Sequence, residues 1–108
     1  MKNDPPPIFS VLLLDDDERF RKLVVPRLRR KGINVVEAGE GKQAQEMLGD
    51  PELKFDALIV DGVLPDTDGI SWVTRYRASG GTRPIVYISA FWQTTETYQL
   101  LTGDLNVS

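Results

Sequence analysis

Residues 57–61, with the sequence ALIVD, form a short apolar run that ends on a carboxylate. Two further runs share this pattern: residues 11–15 (VLLLD) end on an aspartate that a second one follows, and residues 84–89 (PIVYIS) end on a hydroxyl. Short runs rich in valine, isoleucine and leucine are typical of strands in a parallel sheet covered on both faces. Parallel strands present their carboxyl ends at one edge, where ligands bind. The side chains predicted to converge at this edge are Asp15, Asp16, Asp61 and Ser89.

The predicted cluster combines carboxylates with a hydroxyl and has no nitrogen base nearby. Hard cations such as Mg²⁺ prefer oxygen ligands of this kind, and such sites are common where phosphoryl groups are transferred. The prediction depends on the three strands being parallel neighbours, because only then do their ends meet. On that condition the sequence predicts a Mg²⁺ site with phosphoryl chemistry.

The composition limits the classes of function. The chain has 108 residues, which is the length of one domain with a modest core. It contains neither cysteine nor histidine, which excludes disulfides, thiolate or histidine metal sites, a histidine-based triad and a role as phosphohistidine donor. The net charge is -3 and the basic residues form no long tract, so nucleic acid and anionic membranes are not expected partners. No run is long enough to span a membrane, and the absence of cysteine fits a reducing cytoplasm.

Strands and helices are predicted to alternate along the chain. The predicted strands are at residues 9–15, 33–37, 55–60 and 84–89. The predicted helices are at residues 17–32, around 44–48, at 69–78 and, with a weaker pattern, at 94–102. Asp17 is a suitable N-cap for the first helix, and Pro26 inside that helix should produce a kink. This alternation predicts right-handed βαβ units with a parallel sheet, preceded by a flexible arm at residues 1–8.

Three blocks of sequence resemble the signature of bacterial response-regulator receiver domains. They are LLDDD at residues 13–17, DGVLPDTDG at residues 61–69 and ISA at residues 88–90. The segment GINVVEA at residues 32–38 is also similar to the second strand of that family. The resemblance covers residues 9 to about 106. It implies an α/β fold of three layers, a flavodoxin-like doubly wound parallel sheet with strand order 2-1-3-4, in which the fifth βα unit is missing.

The resemblance implies a role for each residue at the strand ends. Asp61 would be the phosphoacceptor, which attacks a phosphoryl group held by a partner histidine or by a small phosphodonor. Asp15, Asp16 and Asp61 would hold Mg²⁺, with the backbone carbonyl of Val63 as a further ligand. The metal would neutralise charge on the transferred oxygens.

The resemblance also assigns residues around the phosphoryl group. Ser89 would donate a hydrogen bond to a phosphoryl oxygen and move toward it, and the small Ala90 would keep the approach open. Pro65 and Gly69 would shape the loop after the third strand. The residues that flank the path of attacking water would be Val63 and Phe91, both apolar, so an aspartyl phosphate should hydrolyse slowly.

One signature of the family has no counterpart here. Receiver domains have a Lys-Pro dipeptide after a fifth strand, whereas the last lysine of this chain is Lys54. Residues 9–108 are therefore expected to form a receiver domain that is truncated before strand five, either as a fragment of a longer regulator or as a naturally short one. The loss would expose the edge of strand four, residues 84–89, through which the chain is expected to self-associate.

The implied partners are a sensor histidine kinase or phosphotransfer protein and an output domain in a longer parent chain. Two other functions stay open at this point. The chain could be a receiver-like interaction module that never carries phosphate. It could also be a fragment of a haloacid-dehalogenase-type phosphatase, because the segment DDDER at residues 15–19 partly matches the Asp-x-Asp-x-Thr/Val motif, with Asp15 as nucleophile.

Overall fold

The computed structural model describes residues 9–88. Four strands alternate with three helices in this range, in the order predicted from the sequence. Their bounds are β1 (Ser10–Leu14), α1 (Glu18–Arg30), β2 (Asn34–Ala38), α2 (Gly41–Leu48), β3 (Ala57–Asp61), α3 (Gly69–Ala78) and β4 (Ile85–Ile88). The expected arm at residues 1–8, Ser89, Ala90 and the helix expected at residues 94–102 lie outside the described residues.

The four strands form one parallel sheet with the order β2-β1-β3-β4, which confirms the predicted fold class. β1 lies in the interior, where Leu12 pairs with Val36 on one side and with Leu58 on the other. Four consecutive residues of β1 are buried, which explains why its sequence is uniformly apolar. Because all strands run in the same direction, their carboxyl ends lie along one edge.

Helices cover both faces of the sheet and complete three layers. On one face, Ala44 of α2 and Trp72 of α3 pack with Leu58 and Ile85 in the larger of two hydrophobic clusters. On the other face, Val25 of α1 packs in a second cluster that includes residues of β1 and β2. The two clusters pack the helices against both faces of the sheet, and this packing positions the strand ends along one edge.

Helix α1 begins and ends as the sequence predicts. The Asp17 side chain accepts hydrogen bonds from the backbone N–H groups of Arg19 and Phe20. The helix continues through Pro26 to Arg30, and the kink expected at this proline stays a prediction. Past the helix end, Gly32 has a φ of 83°, a conformation that favours glycine.

Within the described sheet, β4 pairs with β3 alone. Self-association through the other edge of β4 stays a prediction. None of the helices in residues 9–88 is long and apolar enough to cross a membrane.

Candidate functional site

The first site residue, Asp15, directly follows β1 and is almost fully buried, with 4% of its surface exposed. Its backbone is fixed on both sides, because its N–H donates to the carbonyl of Ala38 and its carbonyl accepts from the Arg21 guanidinium at 2.7 Å. Its carboxylate accepts the N–H of Asp17 at 2.8 Å. Arg21 also forms an ion pair with Glu37 of β2 at 3.3 Å. This carboxylate is therefore held in one orientation at the sheet edge.

The structure brings Asp15, Asp16 and Asp61 together, as the sequence analysis predicted. One carboxylate oxygen from each residue lies within 4.8 Å of the others. Asp61 ends β3 and is half-buried, whereas Asp16 is exposed. Three carboxylates at this separation can share one cation, and an all-oxygen set of ligands fits a hard ion such as Mg²⁺.

The electrostatics of this acidic cluster favour a bound cation. The pKa of Asp15 is raised to about 6, mainly by burial and also by the nearby charges of Asp61 and Asp16, while the hydrogen bond from the Asp17 N–H acts in the opposite direction. Burial also raises the pKa of Asp61, with the backbone N–H of Val63 acting in the opposite direction. A cation would stabilise the charged form of both carboxylates, so the residues present fit a metal site.

A short hairpin connects β3 to α3, and we call residues 62–69 the β3–α3 hairpin. At its base, the N–H of Gly69 donates to the carbonyl of Gly62 at 2.9 Å. Closer to its tip, the N–H of Leu64 donates to the carbonyl of Thr67 at 3.1 Å. The N–H of Gly62 donates to the carbonyl of Ile88 at 2.6 Å, which ties the base of the hairpin to β4. The backbone that follows Asp61 is therefore ordered by hydrogen bonds.

The structure also locates the loop residues named in the sequence analysis. A Cβ atom on Gly69 would collide with the backbone carbonyl of Asp61 and lie 2.9 Å from Cα of Gly62, so the close approach at the base requires glycine. Pro65 is exposed at the tip. Val63 lies in the hairpin with 59% of its surface exposed. Ser89 and Ala90 follow β4 but lie outside the described residues.

Three residues near the site were missed by the sequence analysis. Arg21 donates a hydrogen bond to the backbone carbonyl of Asp15. The only sequence feature that could have pointed to this role was its position one turn into α1. The phenol oxygen of Tyr87 lies beside Gly62, where a glycine Cβ would meet it at 2.7 Å. Burial raises the pKa of Tyr87, with smaller effects from the charges of Asp68 and Asp61. Asp66 caps α2, although 25 residues of sequence separate it from Gly41. The sequence feature that could have pointed to such a distant cap is Glu40, because glutamate is not a strongly preferred N-cap residue.

The fold and the acidic cluster together define a doubly wound α/β domain with an oxygen-rich site at the carboxyl ends of its strands. The family model of the response regulator receiver domain matches residues 11–106. The chain therefore belongs to the response-regulator receiver domain family, and it is a signalling domain of two-component systems rather than a classical enzyme. This assignment favours the receiver interpretation over the phosphatase alternative.

Relatives and solved structures agree with this assignment. The transcriptional regulatory protein SrrA of Staphylococcus aureus (strain NCTC 8325 / PS 47) is 32% identical over 81 residues, which are 75% of this chain and 32% of SrrA. The chain thus spans about a third of the length of that relative. The receiver domain of Francisella response regulator 1452 superimposes with a TM-score of 0.71 at 28% identity, covering 81% of this chain and 69% of that one. A sensor protein from Polaromonas sp. JS666 gives a TM-score of 0.72 at 25% identity over 94% of this chain and 79% of its own.

Proposed function

We propose that this domain accepts a phosphoryl group on Asp61 from a phosphohistidine of a partner kinase or phosphotransfer protein. The observation that supports this proposal is the meeting of three carboxylates within 4.8 Å at the ends of β1 and β3. Asp61 is the suitable acceptor because it is only half-buried, whereas Asp15 is buried and its carboxylate already accepts an N–H. In the reaction, an Asp61 carboxylate oxygen bonds to phosphorus while the bond from phosphorus to the histidine nitrogen breaks.

Asp15, Asp16 and Asp61 are the side chains that would hold Mg²⁺, together with the backbone carbonyl of Val63. When bound, the metal supplies positive charge that offsets the negative charge on the transferred oxygens. The protein residues have separate tasks. Arg21 and the N–H of Asp17 hold Asp15 in place, and the backbone bonds of the β3–α3 hairpin order the chain that directly follows Asp61.

The remaining assignments of the site belong to this proposal. Ser89 would donate to a phosphoryl oxygen, and Ala90 would leave room for that oxygen. Pro65 and Gly69 would keep the β3–α3 hairpin in shape. Autohydrolysis of the aspartyl phosphate would be slow, because the exposed side chain of Val63 is apolar and cannot orient an attacking water.

We further infer that residues 9–108 form the receiver domain, with residues 1–8 as an arm, and that it acts in the bacterial cytoplasm. The phosphorylated state would be relayed to an output domain or a partner protein, since the chain spans about a third of the relative SrrA. A receiver-like module that is never phosphorylated is the second candidate function.

The test is to incubate the protein with a small phosphodonor, with and without Mg²⁺, and to trap the acyl phosphate by borohydride reduction for peptide mapping. We expect Mg²⁺-dependent labelling of Asp61 and no labelling in an Asp61→Asn variant. Calorimetry with Mg²⁺ alone separates the candidates. A protein that binds no Mg²⁺ and takes no label is an interaction module, and a label on Asp15 would support phosphatase-like chemistry.

A further inference from the structure

Helix α2 begins differently from α1 and α3. Helix α1 is capped by the residue before it, because the Asp17 side chain accepts the N–H of Phe20 and of its neighbour. Helix α3 is likewise capped by Asp68, which accepts the N–H of Ser71 at 2.7 Å. Helix α2 follows Glu40, whose side chain makes no capping hydrogen bond. The first N–H groups of α2 therefore need acceptors from elsewhere in the fold.

Asp66 supplies these acceptors from the tip of the β3–α3 hairpin. One carboxylate oxygen accepts the N–H of Gly41 and the other accepts the N–H of Lys42, each at 2.9 Å. These N–H groups lower the pKa of Asp66, so its carboxylate stays charged at neutral pH. A negative charge at this position is also favoured by the dipole of α2. The cap joins two segments that are 25 residues apart.

A second bond joins α3 to the same residue of α2. The indole N–H of Trp72, a buried side chain in the first turn of α3, donates to the carbonyl of Gly41 at 2.9 Å. There is no spare room at this junction. A Cβ on Gly41 would lie 2.7 Å from Trp72 Cδ1 and 2.9 Å from Thr67 Cγ2. Gly41 is thus bonded at its N–H by the hairpin tip and at its carbonyl by α3.

The two ends of the β3–α3 hairpin have different neighbours. Its base, at Gly62 and Gly69, adjoins Asp61, and its tip, at Asp66, adjoins α2. Val63 lies between them, on the strand of the hairpin that leads from the acidic cluster to the tip. The hairpin has two internal backbone bonds, and three attachments set its position relative to the cluster: Gly62 bonds to β4 at the base, the side chain of Leu64 is buried in the core, and Asp66 bonds to α2 at the tip.

We propose that Asp66 is a positioning residue for phosphoryl transfer. By holding the tip of the β3–α3 hairpin on the first turn of α2, it keeps the backbone of Val63 and the Asp61 carboxylate in the geometry that the metal and phosphoryl group require. This inference rests on the function proposed above. It makes α2 a structural support of the acidic cluster, although none of the three cluster residues belongs to it.

The experiment compares Asp66→Ala and Asp66→Asn with the control Asp50→Ala in the whole chain. Asp50 also accepts a backbone N–H, from Glu52 at 2.9 Å, but it lies beyond the other end of α2. Two quantities are measured: amide hydrogen exchange at Leu64 and Gly69, whose N–H groups close the hairpin, and the rate of Asp61 phosphorylation by a small phosphodonor at saturating Mg²⁺. The exchange measurement requires neither metal nor phosphate.

For Asp66→Ala we expect exchange about tenfold faster at both amides and phosphorylation about tenfold slower. Asp66→Asn retains one acceptor oxygen, so its phosphorylation rate should lie between those of the wild type and the alanine variant. If Asp66→Ala does not fold, the same two measurements on Asp66→Asn test the inference. Asp50→Ala should match the wild type in both measurements, even if it melts at a lower temperature.

Two results would overturn the inference. One is wild-type exchange at Leu64 and Gly69 in both Asp66 variants. The other is an equal loss of phosphorylation in Asp66→Ala and Asp50→Ala, which would indicate a general effect of stability. Failure of the proposed function has a different signature: the wild-type protein itself takes no label. In that case, faster exchange in the Asp66 variants alone would still support the attachment of the hairpin to α2.

Discussion

Two pairs of aspartates lie near the same edge of the sheet and differ in their electrostatics. Asp15 and Asp61 have raised pKa values because burial and neighbouring carboxylates disfavour their charged forms. Asp66 and Asp68 have lowered pKa values because backbone N–H groups at the starts of α2 and α3 donate to them. The first pair opposes folding when it is charged, whereas the second pair stabilises the fold when it is charged.

The difference follows from what precedes each residue in the chain. Asp15 and Asp61 end apolar strands, so the strands carry them to a buried edge where they meet other acids. Asp66 and Asp68 lie in an exposed hairpin that meets the N-termini of helices. The same side chain is therefore a potential metal ligand in one setting and a helix cap in the other. The residue type alone does not distinguish these two roles of aspartate, but its position relative to the strands does.

The largest effect is expected from a substitution at the base of the β3–α3 hairpin, which connects Asp61 of the first pair to Asp66 and Asp68 of the second pair. In Gly69→Ala, the new Cβ would collide with the backbone carbonyl of Asp61, which cannot yield as a flexible side chain can. We expect the free energy of unfolding to fall by about 3 kcal/mol. Urea unfolding followed by circular dichroism measures this loss.

Gly49→Ala is the matched control for this substitution. Its new Cβ would lie 3.6 Å from the nearest atom, which is an ordinary contact, and its φ is -84°. We expect this variant to be unchanged or more stable by about 0.5 kcal/mol. Equal stability losses in the two alanine variants would show that the collision at residue 69 is relieved without cost.

An intermediate effect is expected from removing charge at Asp15. Its pKa is raised from 3.8 to about 6 in the folded protein, so the folded state holds the proton more tightly than the unfolded state. In the absence of metal, the contribution of Asp15 to stability is therefore greatest below about pH 4 and is lost as the pH rises through about 6. Asp15→Asn keeps an oxygen acceptor for the N–H of Asp17. It should stabilise the metal-free protein at pH 7 by about 1–2 kcal/mol.

Thermal unfolding between pH 4 and 8 in the presence of EDTA measures this effect. The wild-type protein should lose stability across this window relative to Asp15→Asn, and the difference should shrink at the acid end. Addition of Mg²⁺ should stabilise the wild type and leave the variant unchanged. If Asp15→Asn is less stable than the metal-free wild type at pH 7, the conclusion that the charged form of Asp15 opposes folding is wrong.

The smallest effect is expected from removing the hydrogen bonds between Asp68 and Ser71 at the start of α3. Asp68 accepts both the N–H and the hydroxyl of Ser71, each at 2.7 Å, and it is otherwise exposed. Asp68→Ala should lower the free energy of unfolding by less than Gly69→Ala does, because it removes a cap at the exposed start of α3 and creates no collision. Ser71→Ala removes only the hydroxyl bond, so it should lower stability by less than Asp68→Ala does. Urea titration of both variants tests this order, and a larger loss in Ser71→Ala would contradict the capping role of Asp68.

The fold and the acidic cluster could be predicted because their signals are local. β1, β3 and β4 each contain a continuous apolar run, and the carboxylates of the cluster stand at the end of such a run or within two residues after it. Parallel pairing then brings Asp15 and Asp61 together without further information. The family resemblance added the strand order, which the pattern of runs alone does not determine.

The connections between segments could not be predicted in this way. The bond from Asp66 to Gly41 depends on where the hairpin lies relative to α2, and the sequence PDTD looks like an ordinary turn. The contact between Tyr87 and Gly62 depends on the register of β3 and β4, in which Asp61 is paired with Ile88. Such contacts result from the packing of separate elements, so no short window of sequence contains them.

The position of Trp72 gives the protein an optical reporter. Its indole is buried, donates to Gly41 and stacks on Tyr76 with ring centroids 5.7 Å apart and planes 5° from parallel. The chain has two tryptophans, so Trp92→Phe would leave Trp72 as the sole source of indole fluorescence. Separation of α2 from α3 would expose this ring to water and shift its emission to longer wavelength. The emission maximum would therefore follow the contact between these helices in real time, without an attached label.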